Sequence, residues 1–234
     1  MENYWRELRF RVKNIYIKKS LEKFYENKSY KYFPGCSIVK NFDDEILIET
    51  ITDIRNEMIE SKLFDNYVFL KPSSYHMTVC DLYTYDTNKI INFDEIEMKD
   101  KEVLSKLSKI NYNLNVEMEM FDISDKKILL RPKTNNSKHT LNVFRDNVYT
   151  SLGIKNDENY VFHISLTYKI EENEQIKTEK IKDFMKKLTN KYREKLQRIM
   201  IDKPVLTVFN DMSEFRDINL GRKNLGLTNY DNLK

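Results

Sequence analysis

Glycine and proline are scarce in this chain, at four residues each among 234. With so little glycine, a Gly-rich dinucleotide fingerprint is absent. The one candidate phosphate loop, "GRKNLGLT" (221–228), has Leu227 where the phosphate-reaching lysine must stand, so it is rejected. There are two cysteines, Cys36 and Cys80, far apart in sequence, which excludes a disulfide scaffold and points to a reducing compartment. No pair of His or Cys residues has zinc-ligand spacing, so no metal and no cofactor is expected. No G-x-S-x-G elbow is present. Long apolar runs are missing too, which argues against a membrane span. The start, "MENYWRELRF", has no apolar signal core, and Glu2 and Glu7 argue against a transit peptide. The expected location is the cytoplasm, or a host's cytoplasm if the source is viral. Charge of one sign is also lacking: 40 basic and 37 acidic residues leave +3, so any basic patch must be local.

What is present is the profile of a soluble globular protein, with 40% hydrophobic and 33% charged residues. The length suits one large domain or two small lobes. Apolar spacing predicts a helix over 2–27 (Trp5, Leu8, Val12, Ile15), so residues 1–30 read as an N-terminal helix and 31–234 as a single bilobed domain. A strand is expected at 36–42, a helix over 43–64 capped by Asp43 or Asp44, and "YVFLKP" at 67–72. A short helix over 101–110, a hairpin of 113–123 with 126–132, and a helix over 137–153 ending at Gly153 follow. A long charged helix over about 173–199 and a strand over 204–210 complete the pattern. The charged run 186–198 reads as the solvated face of that helix. The order of elements predicts two α+β lobes without a linker between them.

Histidine is the scarcity that matters most. Only His76, His139 and His163 occur. His139 falls near the start of a predicted helix and reads as a surface residue. The other two sit in apolar runs, "SSYHMTVC" (73–80) and "YVFHISLTY" (160–168), each with a hydroxyl residue two places on. On a strand, residues i and i+2 share a face. His76 with Thr78, and His163 with Ser165, would therefore face one space, while Tyr75, Met77 and Val79, and Phe162, Ile164 and Leu166, face the core. The plain alternative is two hydrogen-bonded strand histidines with no further role, but that gives no reason for the doubled pattern. One imidazole accepting a proton, another donating one, and two hydroxyls on an anionic phosphoryl group suit metal-independent phosphodiester chemistry.

The two motifs resemble those of the two-histidine phosphoesterases, the LigT-like superfamily, marked by two His-x-Ser/Thr motifs in apolar settings. "FPGCSIV", "SSYHMTV", "YVFHISLTY" and "LTVFNDMSEF" are similar, in order, to stretches of one branch of it, so the resemblance runs from about residue 33 to 215. It implies an α+β bilobed fold, with an antiparallel sheet in each lobe, flanking helices and a central cleft. It implies His76 and His163 as the acid/base pair and Thr78 and Ser165 as phosphate binders. It further implies a nucleotide substrate with a 2′,3′-cyclic phosphate or a 2′–5′ linkage, extending to cyclic dinucleotides such as 2′,3′-cGAMP in immune evasion. Residues expected near the cleft are Tyr32, Phe33, Tyr83 and Tyr168, with Lys71 and Arg131 as sources of charge. The loops of 81–100 are expected to set nucleotide preference. The expected partner is a small nucleotide or oligonucleotide, with no membrane and no obligate protein partner. The competing reading is a non-catalytic RNA-end or nucleotide-binding module. Intact histidine and hydroxyl pairs favour the enzyme, because a binder has no need of both acid and base.

Overall fold

The computed structural model describes residues 17–85, 93–157, 159–171 and 175–220. In chain order the elements are β1 (Gly35–Asn41), α1 (Glu45–Glu60), β2 (Tyr67–Phe69), β3 (His76–Thr84), α2 (Phe93–Leu107), β4 (Val116–Ile123) and β5 (Lys127–Pro132). They continue with α3 (Asn135–Leu152), β6 (His163–Ser165), β7 (Thr167–Lys169), α4 (Gln175–Tyr192), β8 (Ile199–Ile201), β9 (Val205–Phe209) and β10 (Arg216–Asp217).

Local chemistry accounts for the helices. Asp44 caps α1 by accepting the Leu47 amide at 3.0 Å, and Ile51, Ile54 and Met58 form its buried stripe. Thr134 caps α3 by accepting from the Ser137 amide at 3.0 Å. Gly153 ends α3 at φ 68°, where a side chain would be strained. Helix α4 buries Ile181, Met185, Leu188 and Tyr192, one residue per turn, and gives its lysines to the other faces.

Among the described residues, one antiparallel sheet runs in the order β10-β9-β1-β3-β6-β5-β4-β8, and a separate ribbon pairs β2 with β7. The long sheet is two four-stranded halves. They meet where β3 lies beside β6, and the register there is carried by one pair, Met77 with Ile164. This is the two-lobed α+β arrangement, with the lobes fused edge to edge. Helix α3 packs against β3, β4 and β5, and so spans the junction. No helix among the described residues is long and apolar enough to cross a membrane.

Four sequence expectations shift. The N-terminal helix lies mostly outside the described residues, and within them it stops at residue 21, after which Phe24 bridges Tyr30. The short helix over 101–110 is longer and begins at Phe93, with Asp94 and Glu95 in its first turn favouring the helix dipole. Much of the span 81–100 is therefore strand or helix rather than cleft loop. The long charged helix ends at Tyr192, and 199–201 is a strand in which Ile199 and Ile201 are buried while Met200 is 37% exposed. That two-residue alternation, hidden in a charged run, is the strand signal. The second histidine strand breaks at Leu166, where the amides of Leu166 and Thr167 both donate to the Lys126 carbonyl (2.8 and 3.1 Å), and the chain passes from the sheet to the ribbon.

Candidate active site

Strand alternation delivers the four motif residues to one face. Met77, Val79 and Ile164 are fully buried, while His76, Thr78, His163 and Ser165 are half-buried. Antiparallel register does the rest. With Met77 opposite Ile164, the next positions set His76 across from Ser165 and Thr78 across from His163. The imidazoles occupy one diagonal and the hydroxyls the other. Diagonal neighbours in such a pair lie roughly 7–8 Å apart, room for one phosphoryl group between two rings.

Both imidazoles are held by the same device. His76 Nδ1 lies 2.8 Å from the Ser74 carbonyl oxygen, and His163 Nδ1 lies 2.7 Å from that of Val161. A carbonyl only accepts, so Nδ1 carries the hydrogen and Nε2 is the nitrogen left for substrate. Ser74 is itself fixed: its amide and hydroxyl both bond the Lys71 carbonyl, at 2.9 and 2.8 Å. That accounts for the serine at this point of "SSYHMT".

The electrostatics keep the two imidazoles neutral. Burial pushes the His76 pKa down to about 4, opposed by the bond to Ser74 and aided by His163 and Lys23. Burial also pushes His163 down to about 4, with Lys127 as the next cause and Lys23 a smaller one, while the bond to Val161 opposes. Lys127 pairs with Ser165 across β5 and β6, on the motif face. Its own pKa is lowered by burial and by Lys126.

Three supports went unread in the sequence. Phe215 lies on the His76 ring, with centroids 3.9 Å apart, and rests in turn on Phe209 at 4.7 Å. Gly35 makes room for Phe209: a Cβ there would strike its ring and stand 2.8 Å from the Tyr83 carbonyl oxygen. The "FPG" turn and the "FNDMSEF" ending are thus two parts of one brace behind His76. Arg145, 2% exposed, bonds the Val79 carbonyl, the Asn156 side chain (2.9 Å) and the Asp157 carbonyl (3.2 Å), with its guanidinium 4.5 Å from the Tyr160 ring centroid. Tyr160 adds a bond to the Thr78 carbonyl at 3.4 Å. Arg145 thereby ties β3 to the segment that leads into β6. The signal was available, since Arg145 falls on the helix face of Leu141 and Val148. Lys23 gave no signal, because it reads as one more polar position of the N-terminal helix.

The remaining expected cleft residues divide. Tyr168 is half-buried, and its hydroxyl lies 3.4 Å from Lys23 Nζ, whose charge reaches both imidazoles. Phe33 is 8% exposed, with the same ammonium 5.1 Å from its ring centroid. Tyr32 has a buried hydroxyl. Tyr83 donates to Asp100 on α2. Arg131 is paired with Glu119 at 2.8 Å, and Lys71 lies 5.9 Å from the Tyr30 ring centroid. His139 is exposed on α3.

Comparison with known proteins bears on the fold and on part of the chain. Residues 23–131 match the family model 2H-phosphodiest, described as a domain of unknown function (DUF1868). That stretch, a little under half of the chain, is what is similar to the two-histidine phosphodiesterase family. The match covers Lys23, the first motif and Lys127, and ends before His163. A conserved protein of unknown function from Agrobacterium tumefaciens shares the fold, with a TM-score of 0.74 at 17% identity over 83% of this chain and 88% of that one. A structure of E. coli LigT complexed with 3′-AMP aligns over 61% of this chain and 75% of its own, at 14% identity and a TM-score of 0.39. No curated protein sequence matches the chain.

Proposed function

We propose that the protein is a metal-independent phosphodiesterase that cleaves 2′,3′-cyclic or 2′–5′ phosphodiester bonds in small nucleotides. The observation that carries this reading is the crossed arrangement at the β3–β6 junction. His76 and His163 stand on one diagonal with both Nδ1 atoms bound to backbone carbonyls, and Thr78 and Ser165 stand on the other. One neutral Nε2 takes the proton from the attacking oxygen. The other imidazole, protonated, gives its proton to the departing oxygen. The two hydroxyls and Lys127 hold the phosphoryl oxygens as charge builds on them.

With a 2′,3′-cyclic phosphate, water attacks phosphorus, one ribose oxygen leaves with the donated proton, and a phosphomonoester results. With a 2′–5′ bond, the neighbouring 3′-hydroxyl attacks and the 5′-oxygen leaves, which gives a 2′,3′-cyclic end. A mixed-linkage cyclic dinucleotide such as 2′,3′-cGAMP contains one such bond and falls within this reading.

The test is turnover of 2′,3′-cyclic mononucleotides, 2′–5′ oligoadenylate and 2′,3′-cGAMP with EDTA in excess, followed by chromatography. Cleavage should persist in chelator. His76→Ala and His163→Ala should each lower kcat by ~10²-fold or more. A folded variant of either kind with wild-type turnover refutes the mechanism. Complete loss in EDTA, restored by added metal, refutes metal independence.

A further inference from the structure

We propose that Lys23 binds a second phosphate of the substrate, beside the one that is cleaved. The inference rests on the phosphodiesterase reading above. Lys23 sits in the turn between the N-terminal helix and the Phe24–Tyr30 bridge, and its carbonyl accepts the Lys31 amide at 2.8 Å. The turn is pinned to the β2–β7 ribbon. Phe24 is fully buried, and its ring centroid lies 5.0 Å from that of Tyr168 and 5.2 Å from that of Tyr30. Lys23 Nζ therefore has a fixed place, 5.1 Å from the Phe33 ring centroid, 5.0 Å from that of Tyr168 and 3.4 Å from the Tyr168 oxygen.

The half-buried ammonium makes no ion pair with a carboxylate among the described residues. Removing an ammonium from water costs free energy, and two aromatic faces offset part of that cost. An anion offsets more. That anion is not the reacting phosphoryl group. The motif hydroxyls and Lys127 lie on the β3, β6 and β5 strands, whereas Lys23 is held against Phe33 and against Tyr168 of the ribbon. Its charge reaches both imidazoles. A phosphodiester carries one negative charge, which Lys127 and the protonated imidazole, two positive charges, already outweigh. Lys23 is positive charge in excess of that need. The substrate class it selects is a nucleotide with a second phosphate, such as a 2′,3′-cyclic nucleotide with a 5′-phosphate, or a dinucleotide.

The test compares adenosine 2′,3′-cyclic phosphate with and without a 5′-phosphate on the wild type, Lys23→Met and Lys23→Arg. The wild type should favour the 5′-phosphorylated substrate by tenfold or more in kcat/KM, through KM. Lys23→Met should lose at least tenfold more on that substrate than on the plain one, and Lys23→Arg should restore most of the difference. Equal losses on both substrates, or no wild-type preference, overturn the proposal. Calorimetric titration with adenosine 2′,5′-bisphosphate and adenosine 2′-monophosphate reads the same contrast without turnover. If the wild type cleaves neither cyclic substrate, the phosphodiesterase reading fails. A bisphosphate preference lost in Lys23→Met would still uphold the Lys23 site, and its absence would overturn it.

Discussion

Lowering the pH from 7 to 4 puts protons on two imidazoles that the fold holds neutral, and the fold should lose stability as this happens. His76 and His163 are both held at about 4 against an ordinary value of 6.5. Between those two values the unfolded chain binds more protons than the folded one, so stability rises with pH across that window. The contribution is complete above about pH 6.5 and is lost progressively as the pH falls toward 4. The gap is worth about 3 kcal/mol for each ring at full strength. Both rings are partly solvated, so the pair together should give roughly 2–4 kcal/mol after screening. Urea unfolding at pH 7, 5.5 and 4 measures the total, and the His76→Asn, His163→Asn double variant removes the imidazole share from the background of titrating carboxylates. Proton NMR reads the rings directly, since the chain has only one other histidine, the exposed His139. The consequence for catalysis follows from the same values. At pH 7 about one free molecule in a thousand carries a proton on a given site imidazole. The anionic substrate must raise one pKa as it binds, and kcat/KM should decline with pH above about 5. Site imidazoles that titrate near 6.5, with the same stability slope in wild type and double variant, would refute this account.

The site was legible where it depended on periodicity. Two residues apart on a strand means one face, and that alone placed His76 with Thr78 and His163 with Ser165 outward while Met77 and Ile164 went to the core. What brings the two strands together was not legible. The single Met77–Ile164 pairing joins residues 87 positions apart (164 − 77), and no local signal encodes such a contact. The cations were missed for a related reason. Lys23 and Lys127 are two of many lysines, and only the ribbon and the β5–β6 register single them out. Arg131 and Lys71, expected as sources of charge, have Glu119 and the Tyr30 ring as neighbours. Arg145 is the instructive case. It lies on the apolar face of its helix, and a charge on a buried stripe marks either a paired group or a misread helix. Here the carbonyls of Val79 and Asp157 and the Asn156 amide are its partners.

Replacing Arg145 by Met keeps the volume and removes the donors. It should lower stability by about 3 kcal/mol, since each buried carbonyl left bare costs about 1–3 kcal/mol, and unchanged urea unfolding would show that the guanidinium ties nothing together. The brace behind His76 makes a separable prediction. Gly35→Ala pushes a methyl into the space of the Phe209 ring and the Tyr83 carbonyl, and overpacking of this kind costs about 1–3 kcal/mol. Phe209 supports Phe215, and Phe215 lies on His76, so the displacement should travel to the imidazole. Phe215→Ala removes the same support without touching the sheet. Both variants should lower kcat more than they raise KM, because a ring free to turn loses the alignment of Nε2 with the moving proton while the proposed phosphate contacts of Thr78 and Ser165 stay in place. His76 in Phe215→Ala should also titrate closer to 6.5, as water reaches a ring that burial now holds at about 4. If Phe215→Ala folds, keeps wild-type kcat and leaves the His76 titration in place, the aromatic pair is packing alone and His76 owes its orientation to the Ser74 carbonyl.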